Sequence, residues 1–259
     1  MILGSGLGSL VEALEGAETI DFAALPGFAR TTAAGHAGQW VFGEWGGESV
    51  MLMSGRLHRY GGWSAAQLTF PIAVMAALGV ERLIVSNAAG GLHPALRVGD
   101  LVFVEDHIDW LFGTPALRLT RGVEATHASS GDRVPLGQPG RTVPLYDPEL
   151  LEAALAAARQ ADVSAVRGTY LATLGPHYET RAEYRMMRRL GADVVGMSTV
   201  PEVVAAVRWG MRVLAVSMVS NVARPDCPSK AEHAEVLAAG ADAAGPIGEI
   251  VRRLISGQP

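Results

Sequence analysis

A single cysteine, Cys227, occurs in the 259 residues, so the chain carries no internal disulfide and lacks the pattern of a small secreted scaffold. Long apolar runs are missing too. The two longest, around 71–80 and 203–219, are short or broken by Arg208 and Arg212, which excludes a membrane-spanning helix. No basic stretch leading into an apolar run is present at the start, and the expectation is a soluble cytoplasmic protein with no membrane partner. Charged residues make up only 18%, and 21 Lys plus Arg against 26 Asp plus Glu leaves a net charge of −5. Gripping a polyanion requires the opposite sign, so no nucleic-acid partner is expected. The seven histidines are scattered, no H-E-x-x-H pattern occurs, and His107 with Asp109 offers only two ligands on one strand face, so no metal is expected.

What the chain has in quantity is apolar residues, 49%, enough for a large core, and glycine, 31 residues. Its periodicity predicts a strand at 1–3, a loop Gly4-Ser5-Gly6-Leu7-Gly8 and a helix-like stretch at 9–14. Residues 39–45 and 48–53 read as a hairpin around Gly46-Gly47, 64–78 as a helix despite Pro71, and 82–86 as a strand. Strand and helix then alternate through 100–108, 148–159, 166–174, 181–190, 193–197, 200–209, 211–217 and 230–254. That order predicts one α/β domain over 1–259, with a parallel or mixed sheet covered by helices. No repeat or linker divides it, and the unpatterned segment 112–143 reads as an excursion. Capping boxes mark three helix starts: Thr180 with Glu183, Thr199 with Glu202, and Ser229 with Glu232.

In an open α/β sheet the ligand lies beyond the carboxyl ends of the strands, so the residues that follow each strand carry the argument. The first loop offers backbone amides and the Ser5 hydroxyl to an anion, although such loops serve equally as plain tight turns. It departs from the dinucleotide fingerprint, because Ser9 stands where the third glycine belongs. Arg56 and His58 point the same way in an extended 55–62, suiting phosphate, and the same pattern suits a solvated basic turn. Asn87-Ala88-Ala89-Gly90-Gly91 follows the strand that ends at Ser86 and allows either close ligand approach or close packing.

Tyr178 beside Glu179, between a strand and a capped helix, suits a flat hydrogen-bonding ligand such as a purine; Glu179 alone equally suits a helix N-terminus. Ser198, just before a helix, can share an anion with Ser5. It is not read as a nucleophile, since 196–200 lacks the final glycine of a nucleophile elbow. Asn221 follows an apolar strand and needs a hydrogen-bond partner or a ligand. His233 falls in the first turn of the last helix, where a lone histidine is more often a surface or core residue than a catalyst.

Taken in order, ILGSGLGSL from Ile2, GHAG from Gly35, GRLHRYGG from Gly55, SNAAGGL from Ser86, GDLVFVEDHI from Gly99, GPHYETRAEYRMMRRLGADVVGMSTVPEVVAA from Gly175 and EHAEVLAAG from Glu232 resemble the trimeric purine nucleoside phosphorylases. The resemblance implies a single-domain, three-layer α/β/α nucleoside phosphorylase-like fold with a central mixed sheet. It implies phosphorolysis of purine nucleosides such as inosine and guanosine, in purine salvage, by a homotrimer with inorganic phosphate as co-substrate and no metal or organic cofactor. By similarity, phosphate is held by Ser5, His36, Arg56, His58, the Ala88 amide and Ser198. Tyr60 and Met197 meet the ribose, His233 the 5′-hydroxyl, and Glu179 and Asn221 the purine, with Tyr178 close by; Asn221, His58 and Glu179 carry the catalysis.

The chain departs from the family pattern at Gly61, where an acidic residue is common, and in 131–146, where the aromatic lent by a neighbouring subunit has no identifiable equivalent. The usual N-terminal helical extension is also missing ahead of the first strand. Two alternatives come from the same resemblance. A methylthioadenosine phosphorylase is expected to carry an aspartate at position 221 and a smaller apolar 5′ environment, against which Asn221, Glu179 and His233 argue. A purine-binding regulatory protein with weak turnover is the other, and Gly61 is its best support.

Overall fold

Ile2 and Leu3 are adjacent and both fully buried, yet they belong to two different apolar clusters, and this two-sided burial organises the molecule. The structure is a computed structural model that describes residues 1–29, 37–111, 144–224 and 233–257, together with the backbone of 125–126 and 133–134. His36 and the capping box of Ser229 with Glu232 lie outside the described residues.

In chain order the strands are β1 (Ile2–Leu3), β2 (Glu15–Asp21), β3 (Gln39–Trp45), β4 (Glu48–Ser54), β5 (Arg82–Gly91), β6 (Leu101–Asp109), β7 (Ala125–Thr126), β8 (Arg133–Val134), β9 (Ala165–Ala172), β10 (Val194–Gly196) and β11 (Arg212–Val222). The helices are α1 (Ala65–Ala77), α2 (Pro148–Gln160), α3 (Arg181–Arg189), α4 (Val200–Arg208) and α5 (His233–Ser256). Nine strands form one mixed sheet in the order β10-β9-β6-β11-β5-β1-β4-β3-β2, and β10 also pairs with β5, so that five of the strands close into a ring. Alternation of side chains sends Ile2, Met53, Val213 and Ala215 to one face, where they pack with Ile72 and Met75 of α1 and Val200 and Val203 of α4. Leu3, Leu52, Leu214 and Val216 face the other way, against Leu151 and Leu155 of α2 and Ile247 and Ile250 of α5. The result is a three-layer α/β/α arrangement around a mixed sheet.

Several local features differ from the sequence expectation. β2 is an exposed, polar edge strand without alternation, so no period-two signal announces it. The helix-like stretch expected at 9–14 is a six-residue 3₁₀ turn from Gly8 to Ala13. β5 runs on through Asn87–Gly91 and β11 through Ser220–Val222, because the end of β5 is paired on both sides: Val194 and Val195 of β10 pair with Gly91 and Gly90, and so do Val222 and Asn221 of β11. The segments read as loops after strands are therefore strand.

Caps explain where the helices begin. Thr180 and Glu183 form their capping box, and an unanticipated one joins Ser64 and Gln67 at α1. Asp147 caps α2, accepting from the amides of Glu149 and Leu150. The expected box at Thr199 does not form. Thr199 has φ 76° and ψ −54°, and the Val200 amide donates to the Ser198 carbonyl at 2.9 Å, which is a strained γ-turn. Its hydroxyl is committed to the site instead.

Candidate active site

A single cavity gathers the carboxyl ends of β1, β4, β5, β10 and β11 and the loop that follows β9. Ser5, Arg56, His58, Ala88 and Ser198 line it, and so do Tyr60, Tyr178, Glu179, Met197, Asn221 and His233. Thus every site residue expected from sequence meets in one place except His36, which lies outside the described residues.

One end of the cavity is built from below by Arg56, 1% exposed. Nη1 donates to Ser198 Oγ at 2.8 Å and to Thr199 Oγ1 at 3.1 Å, and Nη2 donates to the Ser86 carbonyl at 2.5 Å. Glu202, also buried, lies 3.9 Å from Nε. Burial pushes the Arg56 pKa down and that of Glu202 up, and each is partly offset by the other's charge. An arginine nevertheless stays charged at neutral pH, so the site holds a fixed cation with its counter-ion beneath.

Proton order follows from counting lone pairs. Thr199 Oγ1 accepts from Arg56 and from Asn87 Nδ2, the latter at 2.9 Å, which fills both of its lone pairs. Its own proton must then be donated, and Ser198 Oγ lies 3.2 Å away. Ser198 Oγ in turn accepts from Thr199 and Arg56, and its hydroxyl also hydrogen-bonds to the Tyr170 phenol, so it stands between the buried network and the cavity it lines. The Ser198 amide donates to the hydroxyl of fully buried Tyr170 at 3.2 Å, fixing the turn.

Tyr170 also explains Gly196, where a Cβ would stand 2.4 Å from the phenolic oxygen. On the opposite wall, Gly240 of α5 lets the glycine loop sit against the helix; a Cβ there would lie 2.3 Å from the Ser5 carbonyl oxygen. His58 stacks on Tyr60, with centroids 4.8 Å apart and planes 16° apart. Burial raises the Tyr60 pKa, with Tyr178 adding to it.

The other end of the cavity carries one acceptor and one donor. Glu179 accepts from the Thr173 hydroxyl at 2.8 Å. Asn221 owes its place to a bulge: Val219 pairs with Ala89 and Asn221 with Gly90, leaving Ser220 as the extra residue. The Ser220 hydroxyl donates to Asn221 Oδ1 at 3.0 Å, which turns the Asn221 NH₂ group into the free face of the amide. The residues that sequence reasoning missed are these supports, Asn87, Thr173, Tyr184 and Ser220 above all. Asn87 and Tyr184 lie inside quoted segments without having been singled out, Ser220 neighbours Asn221, and no sequence signal marked Thr173.

Among the described residues, no three His, Cys, Asp or Glu side chains come together as a metal site, and no helix is long and apolar enough to cross a membrane. Residues 2–256 match the phosphorylase superfamily, and the chain belongs to that superfamily. It is 43% identical to purine nucleoside phosphorylase 1 of Bacillus subtilis, over 92% of this chain and 83% of the relative. Crystal structures of Schistosoma mansoni purine nucleoside phosphorylase in complex with adenosine and with inosine superpose with TM-scores of 0.87 and 0.86 at 37% identity, covering all of this chain and 90% and 89% of theirs. Within the superfamily, the chain's place is among the purine nucleoside phosphorylases.

Proposed function

We propose that the enzyme cleaves 6-oxopurine nucleosides, inosine and guanosine, with inorganic phosphate, releasing free base and (deoxy)ribose 1-phosphate. The observation that carries this reading is the polarity of the cavity: hydroxyl and amide donors over a buried arginine at one end, a carboxylate acceptor and an amide donor at the other. Phosphate is held by Ser5, Arg56, His58, the Ala88 amide and Ser198, and the family resemblance adds His36 to the set. The ribose lies between them and the base, against Tyr60 and Met197, with His233 at its 5′-hydroxyl.

A phosphate oxygen attacks C1′ as the bond from C1′ to N9 breaks, that bond's electron pair leaves on the purine, and the proton that hydrogen phosphate gives up on becoming the ester dianion ends on the departing base. Positive charge grows on the sugar, as in other glycosidic cleavages, and the adjacent phosphate dianion stabilises it. Negative charge grows on the purine, and the Asn221 amide meets it at N7 or O6. Glu179 accepts from N1–H of hypoxanthine or guanine, whereas adenine turns a lone pair towards it. A mismatch of that kind can cost about ten-thousand-fold in discrimination. Tyr178 lies against the base.

On this reading 1–259 is one catalytic domain, supported by the extent of the superfamily match. The same reading makes the enzyme a cytoplasmic homotrimer of purine salvage that needs no cofactor beyond phosphate, which rests on the family resemblance. The test is product stoichiometry: inosine and phosphate should yield equal amounts of hypoxanthine and ribose 1-phosphate. Free ribose in place of the ester would overturn the proposal.

A further inference from the structure

The acceptor that selects the base is itself held by two hydroxyls. Thr173 follows β9, and its backbone amide donates to the Gly196 carbonyl at 2.8 Å, so β10 fixes its position. Its hydroxyl stands between two acceptors, Glu179 Oε1 at 2.8 Å and the Gly196 carbonyl at 3.4 Å. With an acceptor on either side and one proton to give, it serves as a donor, and the shorter contact goes to Glu179.

Tyr184 approaches from the first turn of α3. Its amide donates to the Thr180 carbonyl at 3.0 Å, its ring is half-buried in the cavity wall, and its hydroxyl hydrogen-bonds to Glu179. Burial, and then the charge and hydrogen bond of Glu179, raise the Tyr184 pKa far above the usual tyrosine value, so it too keeps its proton and donates.

We propose that Thr173 and Tyr184 are the positioning residues for base selection, two donors on separate elements that hold the Glu179 carboxylate as a fixed acceptor facing the base. The proposal rests on the assignment of Glu179 to the purine N1–H. Glu179 sits in the loop before α3, and without the two hydroxyls it is free to rotate. A carboxylate that rotates away no longer opposes the adenine lone pair, so discrimination falls before activity does.

The experiment compares Thr173→Val, Tyr184→Phe and Glu179→Gln with the parent enzyme, and Thr173→Ser as the variant that retains the hydroxyl. The readouts are kcat/KM for guanosine, inosine and adenosine, the phosphate KM, and the melting temperature. Thr173→Val and Tyr184→Phe should each lower the guanosine to adenosine ratio about tenfold, the loss of one hydrogen bond to a charged group, with phosphate KM unchanged. Thr173→Ser should keep the parent ratio at the parent melting temperature. If Glu179→Gln changes the ratio while Thr173→Val and Tyr184→Phe do not, the positioning role is overturned and the base-site reading stands. A ratio unchanged in Glu179→Gln as well overturns both.

Discussion

Asn87 Nδ2 donates to Thr199 Oγ1 at 2.9 Å, joining residues 112 positions apart and pinning a threonine held at φ 76°. The strained turn and the buried amide have one joint effect, which is to fill the threonine oxygen with acceptor contacts so that its own proton is directed to Ser198. Thr199→Val keeps the branched shape, removes the acceptor and strands donors on Arg56 and Asn87. A buried donor left unpaired costs about 1–3 kcal/mol. Steady-state kinetics with phosphate varied should show its KM raised about tenfold or more, with the inosine KM nearly unchanged. An unaltered phosphate KM would contradict the proton order.

Gly240 gives a prediction whose sign runs against helix propensity. An alanine inside a helix ordinarily stabilises by about 1 kcal/mol over glycine. Here its Cβ would lie 2.3 Å from the Ser5 carbonyl oxygen and 2.7 Å from the Gly6 Cα, both backbone atoms that cannot swing aside. Overpacking costs about 1–3 kcal/mol, so Gly240→Ala should lower the melting temperature and weaken phosphate binding through Ser5. A rise in melting temperature would mean that α5 does not press on the glycine loop.

On the proposed function, Asn221→Asp replaces the donor assigned to the base with a second acceptor, while the Ser220 hydroxyl still has an oxygen to bind. Loss of one preorganised donor to a developing anion lowers kcat about a hundredfold or more. Inosine phosphorolysis should fall by that factor, with relative activity moving towards adenosine. Parallel losses on both substrates would remove Asn221 from base recognition.

Acid stability has an identifiable contributor at the start of α2. Arg212 holds the Asp147 carboxyl below its usual 3.8, with the capping amides of Leu150 and Glu149 adding to the effect. A carboxylate depressed on folding stabilises the protein above its unfolded pKa, and the contribution is lost as pH falls through the folded value. Urea unfolding midpoints measured from pH 6 down to pH 3 should therefore converge for the parent and Asp147→Asn, which keeps a capping oxygen but not the charge. A gap of constant size across that range would exclude the ion pair as its source.

That the glycine loop, the arginine of 55–62 and the pair Tyr178–Glu179 would meet at one cavity was legible in the sequence because each is a local run of residue types at a strand end. The central strands were legible because both faces are buried. What escaped was non-local. The ends of β5 and β11 look like loops until Gly90 and Gly91 of β5 pair with β10 on one side and β11 on the other, and the bulge at Ser220 that aims Asn221 has no sequence mark. Thr199 reads as a helix cap from spacing alone, yet its oxygen is claimed by Arg56 and Asn87, which lie far away in sequence. β2 was missed because an exposed edge strand needs no alternation.

The most direct test of the account is base release from inosine, guanosine, adenosine and methylthioadenosine, each with and without phosphate. The account predicts phosphate-dependent release from inosine and guanosine, with adenosine and methylthioadenosine far slower. Efficient release from the 6-amino nucleosides would contradict the roles given to Glu179 and Asn221, and release without phosphate would contradict phosphorolysis itself.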